Sequence, residues 1–133
     1  MIAQHVVRRL LTVVALLGLA VPSALAGSAQ ASHGGDDVRT SGSCGSGTHW
    51  KLKAKHDDGR IEVEAEIDSN TSGQKWHWTL KHNGSVSSHG SKRTSGRSGS
   101  FEVGRRMSDL SGLDHFVLRA THGGTVCRGK VSA

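Results

Sequence analysis

Trp50-Lys51-Leu52-Lys53-Ala54-Lys55 and Ile61-Glu62-Val63-Glu64-Ala65-Glu66-Ile67, joined through Asp57-Asp58-Gly59-Arg60, decide the fold. Each run alternates apolar and charged residues, which is the period of a half-buried strand. Asp-Gly between two such runs signals a tight hairpin. A two-residue turn at Asp58-Gly59 fixes the register, because facing positions must then sum to 117. Lys55 faces Glu62, Lys53 faces Glu64 and Lys51 faces Glu66. On the other side Ala54 meets Val63, Leu52 meets Ala65 and Trp50 meets Ile67. A one-residue slip would scramble both faces, so the pairing is strongly specified. The facing glutamates also identify the three lysines as half of a ladder of pairs, which argues against a basic binding stripe.

Downstream the same period recurs. Trp76, Trp78 and Leu80 alternate with Lys75, His77 and Thr79, and His82-Asn83-Gly84-Ser85 is a second hairpin signal. A three-residue loop there would bring Val86 to the face of Leu80. Val86–His89 reads as a short edge strand, and Gly90–Gly99 as a long flexible loop. Phe101–Val103 is a further strand. Ser108 is positioned to cap a helical turn within Met107–Leu113. His115–Ala120 and Thr125–Val131 complete the pattern. The expectation is an all-β, seven-stranded antiparallel β-sandwich in one domain spanning 41–133.

The N-terminal region reads as an export address. Arg8 and Arg9 precede the apolar run Leu10–Val21, and Ala24-Leu25-Ala26 gives a small-x-small cleavage pattern, with Ala29-Gln30-Ala31 as an alternative. The run is shorter than the roughly 20 residues that span a bilayer. Residues 1–26 are therefore expected to be a signal peptide (alternatively 1–31), 27–40 a disordered arm, and the mature chain a secreted, extracellular monomer without a transmembrane segment. Of seventeen Lys and Arg residues the leader takes two. Fifteen remain against eleven Asp and Glu, a net charge of +4. Cys44 and Cys127 lie outside the leader and allow one intramolecular disulfide in an oxidising compartment.

Asp114-His115-Phe116-Val117-Leu118-Arg119-Ala120 resembles the Asp-x-Tyr-x-Cys-x-Ala signature of the sixth strand in immunoglobulin-like domains. Leu110–Leu113 stands where such domains place an apolar plug, and Trp76 or Trp78 where they bury a tryptophan. Phe116 replaces the tyrosine and Leu118 the cysteine, so neither the tyrosine corner nor the inter-sheet disulfide of those domains is expected. The stretch Trp50–Val131 also resembles a group of small secreted actinobacterial single-domain proteins, through Trp-x-Leu-x-Ala, Asp-Gly-Arg-Ile-Glu-Val, Ser-Gly-Ser-Phe-Glu-Val and a closing Cys-Arg-Gly. That resemblance implies an immunoglobulin-like fold and secretion, and it carries no activity.

Catalytic signatures are missing from the sequence. There is no Gly-x-Ser-x-Gly elbow and no Cys-x-x-Cys. The histidines of the mature chain never stand two, three or four positions apart, so no local metal motif forms. The three tryptophans share phase with core residues, leaving no exposed aromatic row for stacking on sugars or bases. The reading is a non-enzymatic binding or envelope-associated module without a cofactor, acting through its loops. Its candidate contact for an anionic envelope polymer is Lys92, Arg93 and Arg97, with Arg105 and Arg106 near in sequence. Specific nucleic-acid recognition is not expected. The alternatives are a secreted metal-binding protein or enzyme using clustered histidines, and a sandwich that sequesters a small molecule.

Overall fold

The structure, a computed structural model, describes residues 37–133, so the leader and most of the expected arm lie outside the described residues. Eight strands follow in order: β1 (Asp37–Ser43), β2 (His49–Asp57), β3 (Arg60–Asp68), β4 (Lys75–His82), β5 (Ser85–Arg93), β6 (Ser100–Ser108), β7 (His115–His122) and β8 (Thr125–Ser132). They form two antiparallel four-stranded sheets, ordered β1-β2-β3-β6 and β5-β4-β7-β8. The strand count is thus eight rather than seven. The architecture is a sandwich, but β2 hairpins directly to β3 within one sheet. In the constant-type immunoglobulin order, ABED and CFG, the chain crosses sheets after its second strand.

The β2–β3 register is the one the sequence dictates, from Trp50 opposite Ile67 to Lys55 opposite Glu62. Asp58 and Gly59 both take positive φ, 48° and 70°, the twist-matched turn that a two-residue hairpin needs. Leu52, Ala54, Ile61, Val63, Ala65 and Ile67 are buried. From the second sheet Trp76, Trp78, Leu80, Phe116, Leu118, Ala120, Cys127 and Val131 complete the core. Leu52→Ala should therefore cost about 3 kcal/mol through the cavity left. Lys53→Ala should cost less than about 1 kcal/mol. Denaturant melts of the two variants check this, and equal losses would show that the strand is not half-buried.

Both long edges of the sandwich are closed by specific contacts. On one side Thr40 Oγ1 donates to the Lys130 carbonyl at 2.7 Å, and the Cys44–Cys127 disulfide ties the end of β1 to β8 across 83 residues. The Trp50 ring lies between Gly42 of β1 and Gly129 of β8. A Cβ at either glycine would stand 2.9 Å or less from the indole, so only a bare backbone fits there. On the other side Lys92 Nζ donates to the Glu102 carbonyl at 2.7 Å, and Arg105 Nε to Ser88 Oγ at 2.9 Å.

Four expectations are corrected. Asp37–Thr40 belongs to the ordered strand β1, paired along β2, and not to a disordered arm. Its inward positions are Val38, Thr40 and Gly42; the Trp50 ring leaves no room for a side chain at Gly42. The β4–β5 loop has two residues, Asn83-Gly84, and the additional residue is absorbed by an irregularity opposite Leu80/Lys81. Val86 is therefore turned outward and is 56% exposed. Gly90–Gly99 is not one flexible loop, because β5 continues to Arg93, Thr94 is buried and Ser95 bridges Ser100. Thr94 Oγ1 donates to the Thr71 carbonyl, and the Gln74 amide donates to Thr94 Oγ1. Finally, no helical turn follows Met107. Met107 pairs with Ile61 as part of β6, and the Leu110 amide is satisfied by Asp114 Oδ2 at 3.1 Å.

Candidate functional site: a carboxylate-free sheet face

The outward face of the first sheet neutralises itself. Lys51 Nζ lies 3.3 Å from Glu66 Oε1 and Lys53 Nζ 2.5 Å from Glu64 Oε2. Arg39 pairs with Asp37 and Arg106 with Asp57, each at 2.8 Å. The hydrogen bond to Glu64 raises the Lys53 ammonium above its ordinary value, outweighing the opposing effect of its desolvation. A hollow of about 390 Å³ opens on this face, and its walls carry both signs of charge, including Arg39, Lys53, Glu64 and Glu102.

The second sheet is built differently. Its four strands carry seven Lys and Arg residues, namely Lys75, Lys81, Lys92, Arg93, Arg119, Arg128 and Lys130, and no Asp or Glu. The inward phase of β4, β7 and β8 holds the core, so Lys75, Lys81, Arg119, Arg128 and Lys130 all point outward and are exposed. Register places them in rows. Arg119 stands directly opposite Arg128, with Thr79 on its other side, and Val117 stands between Lys81 and Lys130. These residues, with Gly84, line a hollow of about 440 Å³. A smaller one of about 250 Å³ at the other end is lined by Lys75, Ser91, Lys92 and Arg93. Among the described residues, no side chain forms an ion pair with Lys81, Arg119, Arg128 or Lys130.

The five cations singled out from sequence are not brought together. Arg93 lies on the outward face of the second sheet and donates to the Gly73 carbonyl at 2.9 Å. Lys92 and Arg105 close the β5–β6 edge, where the Arg105 guanidinium sits 5.1 Å from the Trp78 ring centroid. Arg106 is on the opposite sheet, bound to Asp57. Arg97 is at the tip of the Gly96–Gly99 turn. The cations that do converge were separate in sequence.

Histidines do not converge either. Among the described residues no three His, Cys, Asp or Glu side chains form a metal-holding group. His77 hydrogen-bonds Ser91, His115 bonds Ser132, and His122 donates to the Lys75 carbonyl. His56 meets Asp109 at the surface, at 3.0 Å, whereas His82 Nε2 meets the fully buried Asp114 at 2.5 Å while its ring stacks on Phe116. Asp114 also accepts from Asn83 Nδ2 and the Leu110 amide, each at 3.1 Å. Burial pushes the Asp114 carboxyl up, but the hydrogen bonds from His82, Leu110 and Asn83 together hold it below its ordinary value. The Asp114 backbone exchanges hydrogen bonds with Ala133. This cluster joins the β4–β5 turn, the start of β7 and the chain end. Through these bonds the His82–Asp114 pair locks the three segments together.

No family model, curated protein or solved structure matches this chain. Among the described residues no helix is long and apolar enough to cross a membrane.

Proposed function

We propose that this chain is an exported, non-enzymatic binding domain that holds an anionic polymer, such as one of the cell envelope, against the outward face of β4, β7 and β8. The observation that carries the reading is the absence of any carboxylate from the four strands of the second sheet. In the first sheet most facing charges are opposite in sign, and in its two like-charge pairs, Arg39 with Lys53 and Glu66 with Glu102, at least one member is bound to an opposite charge. The second sheet leaves its charges uncompensated and sets Arg119 opposite Arg128, a like-charge cross-strand pair that costs a few tenths of a kcal/mol. Concentrated positive charge of this kind attracts polyanions and speeds their association. Export is supported by the leader-like residues 1–26 and by the disulfide.

Retention on an immobilised anionic wall polymer or sulfated polysaccharide tests the reading. The combined variant Lys81→Ser, Arg119→Ser, Arg128→Ser, Lys130→Ser is expected to elute at the lowest salt with its melting temperature nearly unchanged, since all four side chains are exposed. The variant Lys92→Ser, Arg93→Ser, Arg97→Ser should keep most of its retention. The reverse order would return the contact to the region the sequence first suggested, and undiminished retention by both variants would remove polyanion binding by this sheet.

A further inference from the structure

Side chains close the β5–β6 side of the sandwich, but among the described residues no strand lies beside β6, which ends the first sheet. Its open edge can be read residue by residue. The Gly99 carbonyl accepts from the Ser69 amide and the Asp109 amide donates to the Gly59 carbonyl, both toward β3. Ser100 instead exchanges its two bonds with Ser95, on the outer side. Alternation along an antiparallel strand then turns the amides and carbonyls of Glu102, Gly104 and Arg106 to the open edge. There the Glu102 and Gly104 carbonyls accept from Lys92 Nζ and Arg105 Nη1, each at 2.7 Å. Both donors sit at the ends of long, exposed side chains that can swing away.

We infer that this edge docks a second copy of the chain, paired antiparallel about a two-fold axis at Gly104, in place of the monomer expected from sequence. Nothing in a single copy requires glycine at 104. Its φ is not in the left-handed region, and a Cβ there would meet no atom within 4 Å. Glycine inside a strand weakens it and marks a close approach of another backbone. A residue on a two-fold axis meets its own copy, so a charged side chain there would repel itself. Glu102 is a second feature that one copy leaves unexplained. It faces Glu66 across the β3–β6 pair, and among the described residues its carboxylate forms no ion pair.

The axis resolves both. Glu102 and Arg106 stand two residues to either side of Gly104, so Glu102 of each copy falls opposite Arg106 of the other. The carboxylate gains a cation, and the edge amides and carbonyls of Glu102, Gly104 and Arg106 find partners in the second copy. The Ser95 bridge occupies the edge at Ser100, so the paired stretch runs from Glu102 to Arg106. Any strand could take the backbone bonds of an open edge. An acid and a base placed symmetrically about a bare centre are complementary to themselves, which selects a second copy of this chain. The pairing is independent of polyanion binding by the second sheet.

Sedimentation equilibrium and amide exchange of the exported, disulfide-intact chain test this. A dimer should form as concentration rises, and in it the amides of Glu102, Gly104 and Arg106 should exchange at least about tenfold more slowly. Glu102→Arg alone and Arg106→Glu alone each set like charges opposite one another twice per dimer, and each should raise the dimer Kd at least about tenfold. Mixed in equal amounts, the two variants restore both opposite-charge pairs and should associate within about threefold of the wild-type Kd. Glu102→Arg should keep its melting temperature, since the new cation faces Glu66. A chain that stays monomeric to about 1 mM, a Kd that ignores both substitutions, a mixture no better than either variant alone, or protection confined to another edge would each overturn the inference.

Discussion

Asp114→Ala is expected to lower the unfolding free energy by about 3–5 kcal/mol, which for a domain of this size is a large part of its stability. The carboxylate is fully buried and is the shared acceptor for His82 Nε2, Asn83 Nδ2 and the Leu110 amide. Truncation removes the shared acceptor of all three donors, and each donor left unsatisfied away from water costs about 1–3 kcal/mol. Asp114→Asn keeps the shape and two acceptor lone pairs, so it should lose less. The pair of variants separates loss of volume from loss of charge. The pH dependence has a definite sign. The folded carboxyl lies below its ordinary 3.8, so the unfolded chain binds the proton more readily. The stabilisation is full above that ordinary value and is lost as pH falls through the lower folded value. Urea melts across pH 2–7 should show the wild-type advantage over Asp114→Asn shrinking below about pH 4. An advantage that grows in acid would contradict this account of the lock.

The second large effect is the disulfide. Reduction, or Cys44→Ala with Cys127→Ala, should cost about 4 kcal/mol in the chain-entropy account, because the bond closes a loop of 83 residues. The structural consequence should be local to one edge. Without the bond, β1 is held to the second sheet by the Thr40–Lys130 hydrogen bond and by Trp50 packed between Gly42 and Gly129. Amide exchange in Asp37–Ser43 should rise before that of β3 or β4. A melting temperature that does not respond to reductant would show that the core alone holds the fold.

The β2–β3 hairpin was legible in full because two independent signals, the Lys/Glu phase and the Asp-Gly turn, agree on one register. β1 was not legible, since Val38, Thr40 and Gly42 give almost no hydrophobic signal. The bare backbone at Gly42 answers to Trp50, a contact fixed only by the fold. The continuation of β5 to Arg93 was obscured by serines and glycines that read as a flexible loop. His82 and Asp114 are 32 residues apart and meet only when β4 and β7 pair. The basic face escaped for a related reason. Lys81, Arg119, Arg128 and Lys130 belong to three separate segments, whereas Lys92, Arg93 and Arg97 drew attention by lying close in sequence. One sequence-level clue was available, because the strand segments Gln74–Lys81, Val86–His89, His115–Ala120 and Thr125–Val131 contain no acidic residue. Which sheet each segment joins was needed to turn that into a surface.

Amide chemical-shift mapping of the isotope-labelled domain, titrated with an anionic polymer at low and high salt, tests the central claim most directly. The account predicts salt-sensitive shifts concentrated at Thr79–Lys81, Val117–Arg119 and Arg128–Lys130, with the Lys/Glu ladder of β2 and β3 unmoved. Shifts confined to the Gly96–Gly99 turn or to the first sheet, or shifts that persist undiminished at high salt, would contradict it.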